Sequence, residues 1–95
     1  MRVPTTSKRF RVHGKVQGVW YRGWTVDTAN ALDLAGWVRN RRDGTVEILA
    51  SGPPDKVDAL AAKLKTGPEA ARVDRVEAVV ADEAIPMGFA QRPTR

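Results

Sequence analysis

KRFRVHGKVQGVWYRGW, residues 8–24, passes from a strand pattern through a glycine-containing loop into a helix pattern. Over residues 8–13, Phe10 and Val12 fall on one face and Arg9, Arg11 and His13 on the other. That alternation predicts a strand with one buried side. From about Arg22 to Leu34 the period changes, and Trp24, Thr25, Ala29 and Leu32 recur on one side of a helix, with Gly36 as its stop. A strand feeding a helix through a short loop is the first half of a βαβ unit.

Working outward, GWVRN (36–40) and TVEILAS (45–51) read as two strands joined by RRDG, where Asp43-Gly44 accommodates the positive φ of a hairpin. Pro53 and Pro54 open a second helix, since proline's missing N–H costs little there. Val57, Leu60, Ala61 and Leu64 follow the i, i+3, i+4, i+7 pattern, and Gly67-Pro68 ends the helix. A strand over 72–81, with Val76, Ala78 and Val80 alternating, and a short last strand through Phe89 and Gln91 complete the order. The reading is β-α-β-β-α-β plus a short terminal strand: an α+β, ferredoxin-like split-βαβ sandwich, with an antiparallel sheet and two helices on one face. The 95 residues are expected to form one domain, ordered over about 8–92, with 1–6 and 93–95 loose.

Composition narrows the function classes. Hydrophobic residues make up 42% and charged residues 28%, a balance that supports a packed globule and opposes disorder. With no cysteine and His13 as the sole histidine, neither a disulfide framework nor a zinc site has its ligands, and no metal or other cofactor is expected. No segment approaches the roughly 18 apolar residues of a membrane span, and MRVPTTSKRF has no secretory apolar core, so the cytoplasm is the expected location. Residues 1–47 carry nine Lys/Arg against four Asp/Glu, while 48–95 carry seven of each, so the whole +5 excess lies in the first half. That placement suits an anionic partner, and charge alone does not separate a phosphate ester from nucleic acid.

The chemistry concentrates in VHGKVQGVWYR (12–22). At a strand–loop–helix junction several unpaired N–H groups converge and the helix dipole adds positive charge, which together favour a phosphate. Gly14 and Gly18 suit a loop whose backbone must approach a ligand closely. Gly18 and Gly23 have the G-x-x-x-x-G spacing of a nucleotide P-loop, but Trp24 stands where its lysine is required, which excludes a nucleoside-triphosphate site. The cation here is Arg22, whose planar fork can engage two phosphate oxygens at once.

Two ordered motifs resemble the signatures of the acylphosphatase family. VHGKVQGVWYR matches V-x-G-x-V-Q-G-V-x-[FY]-R, and GWVRNRRDGTVEI (36–48) matches G-[WY]-V-x-N-x-x-[DK]-G-x-V. Their separation, and GPPDKV (52–57) opening the second helix, also fit, so the resemblance covers about Phe10 to Arg92. It implies that backbone N–H groups of Lys15, Val16, Gln17, Gly18, Val19, Trp20 and Tyr21 hold the phosphoryl oxygens, that Arg22 binds the same group, and that Asn40 holds the attacking water. It further implies hydrolysis of small acyl phosphates to a carboxylate and inorganic phosphate by a metal-free monomer; no nucleic-acid or membrane partner is expected. An acyl phosphate carries its own good leaving group, so such a site needs positioning and charge neutralisation more than a strong general acid. The chain departs from the common pattern at Trp20, at Arg41 and in the extra Pro93-Thr94-Arg95, none of which removes an essential group.

Other readings of the same residues stand beside this one. His13 lies on the strand's polar face without a triad, and reads as a solvated strand residue. Arg39, Arg41 and Arg42 read as a solvated basic edge. Trp20, Tyr21, Trp24 and Trp37 could stack bases, but core or pocket-wall packing accounts for most of them. The alternative function is a nucleic-acid- or anion-binding ferredoxin-like module without catalysis. No segment reads as the RNP1 pattern that such a nucleic-acid module needs, and retention of Arg22 and Asn40 opposes an inactive anion binder.

Overall fold

The computed structural model describes residues 4–95. Its elements run β1 (Thr6–Lys15), α1 (Tyr21–Ala31), β2 (Ala35–Asn40), β3 (Val46–Gly52), α2 (Pro54–Leu64), β4 (Arg72–Val80) and β5 (Phe89–Gln91). The strands form one sheet in the order β4-β1-β3-β2-β5. Four are antiparallel, as expected of a split-βαβ sandwich. The terminal β5 runs parallel to β2 and makes the sheet mixed.

Both helices are 11 residues long, too short to persist alone in water, so each depends on the apolar side it lays on the sheet. From α1 the sheet receives Tyr21, Thr25 and Ala29, and from α2 Val57, Leu60 and Leu64. These close over Phe10, Val12, Val38, Val46, Ile48 and Ala50. Full burial of a Val, Leu, Ile or Phe side chain contributes about 1.5–3 kcal/mol, enough in sum to hold both short helices down. The two helices are also joined directly, because the buried Tyr21 hydroxyl donates to the Leu64 carbonyl at 2.7 Å. Burial pushes that phenol's pKa above its ordinary range.

Several boundaries differ from the sequence reading. Helix α1 stops at Ala31 instead of Leu34, and the chain reverses at Asp33, whose φ is 56°. Gly36 is therefore no helix stop; it lies in β2, where a Cβ would come within 1.8 Å of the Leu49 carbonyl oxygen. Strand β4 is an edge, so its alternation does not translate into burial. Val76 packs on the core, but Ala78 is exposed and Val80 is 80% exposed. The expected loose residues 1–3 lie outside the described residues, whereas Thr6 is already paired with Gly52. The other end is tethered: Arg92 N–H donates to the Val38 carbonyl, Arg95 N–H to the Asn40 carbonyl, and Arg42 N–H to the Arg95 carbonyl.

The face of the sheet away from the helices is organised by charge. In register, Arg39, Glu47, Arg11 and Glu77 form one row across β2, β3, β1 and β4. Glu47 is the hub. It contacts Arg39 at 2.7 Å, Arg41 at 3.4 Å and Arg11 at 3.5 Å, with its side chain only 6% exposed. Arg39 and Arg41 are thus committed to a carboxylate, which corrects the picture of a free, solvated basic edge. Arg39 also lies 4.4 Å over the Trp37 ring, with Arg92 at 5.2 Å, so the indole is covered although it faces outward.

Burial alone would raise the Glu47 carboxyl pKa, but the Arg39 hydrogen bond and the charges of Arg39, Arg41 and Arg11 outweigh it and hold the pKa below the usual range. A pKa depressed on folding contributes stability above the unfolded value of roughly 4.3, lost as pH falls through the folded value. Glu47→Gln should therefore be less stable than the parent at pH 7, with the gap shrinking at pH 3. Urea denaturation at both values checks this; a gap independent of pH would contradict the hub.

Candidate active site

Strand β1 runs on through Lys15, which is in register with Arg72 of β4, so the connection into α1 is only residues 16–20. Lys15 is exposed at that strand end. Gly14 also belongs to the sheet: it sits at a register shift with φ 131°, and a Cβ there would lie 2.1 Å from the Arg72 carbonyl oxygen. This glycine lets two strands approach, and its expected service to a ligand gives way to that role. Gly18, with φ 73° and open space around it, is the glycine that turns the loop.

Within the loop the side chains divide their work. Val16 is buried in the core, and Val19 packs partly against it, which pins the loop at two points. Between them the Gln17 carboxamide donates to the Arg41 carbonyl at 2.7 Å and to the Thr45 carbonyl at 2.8 Å. Arg41 and Thr45 are the two ends of the β2–β3 turn, itself closed by Arg41 N–H to the Thr45 carbonyl at 2.8 Å. Gln17 therefore fastens the loop after β1 to the residue following Asn40. Sequence reading assigned Gln17 only a backbone role. Its side chain was missed because its partners are main-chain carbonyls 24 and 28 residues away.

With the loop held, its donors are unspent. Among the described residues, the N–H groups of residues 17–23 donate to no backbone carbonyl or side chain, and the first such bond is from Trp24 to the Trp20 carbonyl. The N-cap residue of α1 is Trp20, which makes no side-chain cap, and the first turn contains no acidic residue. Nothing on the helix itself competes for its positive end. By contrast α2 has Asp55 in its first turn and a proline at its start. A run of free amides at an unneutralised helix N-terminus is an arrangement that attracts an anion.

Arg22 stands in that first turn, half-buried, and among the described residues no carboxylate lies within ion-pair distance of it. Arg39, Arg41, Arg11 and Arg9 are each paired, whereas Arg22, like Arg42, Arg92 and Arg95, has no carboxylate partner among the described residues, and it alone of these follows directly on the loop amides. Asn40 ends β2 opposite Val46, which is opposite Val12. That row faces the helices, so Asn40 shares the side of the sheet on which α1 and the loop lie. It is buried, 9% exposed, and its side-chain oxygen Oδ1 has no hydrogen-bond partner. A buried polar atom left unpaired costs about 1–3 kcal/mol, and such orphans call for a ligand or water to satisfy them.

The remaining polar and aromatic residues fall elsewhere. His13 pairs with Glu77 on the outer face, away from Asn40, as its reading as a strand residue required. That hydrogen bond, with the Arg75 charge, holds the Glu77 carboxyl below its ordinary pKa. Tyr21 is in the core and Trp24 packs partly against it, with ring centroids 5.3 Å apart. Trp20 alone of the four is open, at 63% exposure. Among the described residues no three His, Asp or Glu side chains cluster as metal ligands.

The sequence profile of the acylphosphatase family matches residues 8–91. An acylphosphatase of Rhodospirillum rubrum is 57% identical over 86 residues, covering 88% of this chain and 92% of that protein. Among solved structures, an acylphosphatase from Coxiella burnetii superposes with a TM-score of 0.89 at 35% identity, covering 93% of each chain. One from Bacillus subtilis gives 0.84 at 32% identity, covering 94% of this chain and 99% of its own.

Gln17→Ala should remove two hydrogen bonds, of about 0.5–1.5 kcal/mol each, and free the loop, while both carbonyls keep a backbone donor, Gly44 N–H on Arg41 and Arg41 N–H on Thr45. We expect a loss of about 1–3 kcal/mol in stability and a several-fold weaker affinity for inorganic phosphate by calorimetry. Unchanged phosphate affinity would mean that the loop keeps its shape without the clamp.

Proposed function

The chain belongs to the acylphosphatase family, and from that premise we propose that it hydrolyses small acyl phosphates with Arg22 and the loop amides holding the phosphoryl group and Asn40 orienting the water. It is an enzyme of that family. The observation that carries the residue assignment is the buried, unpartnered Oδ1 of Asn40 on the same side of the sheet as a run of free amides. A water held there donates a hydrogen bond to Oδ1 and keeps a lone pair for phosphorus.

The steps follow from charge. Phosphoryl oxygens take hydrogen bonds from the amides of the loop and first helical turn and from the Arg22 fork, which neutralise charge as it spreads over them. The water's oxygen forms the new P–O bond in line with the breaking one. The bond from phosphorus to the acyl oxygen breaks, and the carboxylate leaves with the bonding pair. Asn40 is an amide and no base, so the water's second proton passes to a phosphoryl oxygen of the substrate. No side chain has to titrate, and neither the Glu47 hub nor His13 on the outer face enters the reaction.

The same reading takes the protein as a single-domain monomer of the cytoplasm that needs no metal. Its partners are an acyl phosphate and the phosphate product, with neither nucleic acid nor a membrane among them. The placement of its aromatics supports the exclusion of nucleic acid: Trp37 is capped by arginines, Tyr21 is in the core and Trp24 is partly buried, which leaves no stacking platform on the sheet. None of the described helices is long and apolar enough to cross a membrane.

Arg22→Ala should lower kcat/KM for acetyl phosphate by on the order of 10²–10³ or more. Arg22→Lys should recover little of this, since a point charge cannot replace a two-pronged donor. Asn40→Ala should lower kcat while inorganic phosphate still competes with substrate. Near-normal turnover in that variant would remove Asn40 from the water-holding role. Parent activity should persist in excess chelator, with an ordinary phosphomonoester left intact as the control.

A further inference from the structure

Trp20 is the one aromatic side chain at this site that neither the core nor a cation covers. Its backbone is in the left-handed region, φ 65° and ψ 20°, a conformation that bulky L-residues rarely take. Its indole lies against Gly23 in the first turn of α1, so closely that a Cβ on residue 23 would sit 2.2 Å from the indole Nε1. Two features that oppose stability, a strained backbone at residue 20 and a glycine inside a helix, are therefore matched to one another. With 63% of the residue exposed, burial does little to offset them. Strain of this kind at the mouth of an anion site points to function.

We propose that Trp20 determines specificity for the acyl group, selecting flat or apolar acyl phosphates over acetyl phosphate. The inference rests on the acylphosphatase reading. When the phosphoryl group sits on the amides of residues 17–23, the bond to the acyl oxygen points away from the attacking water and out of the loop. The substituent on the acyl carbon then meets whatever rims the loop. Trp20 is in the middle of that run of amides, and its ring, laid over Gly23 in the adjoining turn, gives the rim an apolar plane. An aromatic acyl group can stack on that plane, whereas a methyl group reaches little of it. The charge of Arg22 is left to the phosphate.

The experiment compares benzoyl phosphate and acetyl phosphate as substrates of the full chain. The readout is the ratio of the two kcat/KM values, so a general change in the loop cancels. Trp20→Gly, which suits the left-handed backbone, should lower the benzoyl-to-acetyl ratio about three- to tenfold. Trp20→Phe should keep most of it. The change should reside in KM for benzoyl phosphate, with the acetyl KM moving less. A ratio that stays constant in Trp20→Gly overturns the assignment, as does a loss in Trp20→Phe equal to that in Trp20→Gly. Failure of the parent protein to hydrolyse either compound would instead overturn the acylphosphatase reading, and the inference with it.

Discussion

Two hydrogen bonds from one carboxamide set the geometry on which the rest depends. Gln17 binds the carbonyls of Arg41 and Thr45, and so joins the loop after β1 to the turn after β2. Without that link, the loop would keep only its apolar anchors, Val16 and Val19, and would have no polar tie to the turn after Asn40. With it, a run of free donors, a guanidinium without a carboxylate and an unpartnered amide oxygen are held on one side of the sheet. The buried amide oxygen of Asn40 in particular costs stability if left unsatisfied. The concentration of these features in one place is what supports the proposal of a site there.

The other face of the sheet shows what happens to arginine when a protein does want it satisfied. Arg39, Arg41 and Arg11 gather round Glu47, and Arg39 lies against Trp37. Three of the nine Lys and Arg of the first half of the chain are engaged there in structural work. Arg22 is spared because it lies on the helix side, where the core is apolar and no acid stands in the first turn of α1. The division into a satisfied face and an unsatisfied end leaves Arg22, in the first turn of α1, without a carboxylate partner among the described residues, which supports its proposed role.

Trp20 extends the same logic to the substrate's other half. The backbone strain at its αL position and the glycine beneath its ring are both local costs, and neither improves the core. They make sense together if the indole must stand at the edge of the amide run. The loop then has a polar interior for phosphate and one apolar wall for the group leaving it.

The order of elements and the βαβ connection were legible in the sequence, as were the two motifs on which the proposed roles of Arg22, Asn40 and the loop rest, because periodicity and turn chemistry are local and the motifs lie in contiguous stretches. What was not legible depended on partners distant in the chain. Gly14 and Gly36 looked like loop and stop residues, and only the approach of β4 and β3 revealed them as strand glycines. The alternation of Val76, Ala78 and Val80 does not become burial at Val80, because β4 is an edge with nothing beyond it to cover that residue. The tail at 93–95 looked loose because its own residues carry no pattern, yet β2 supplies carbonyl acceptors that hold it. The sequence by itself determined which chemical groups the protein possesses and which local shapes they favour. Tertiary structure alone decided which of those groups stay unpaired, because pairing depends on what the fold brings within three ångströms or so, and no local pattern encodes that distance.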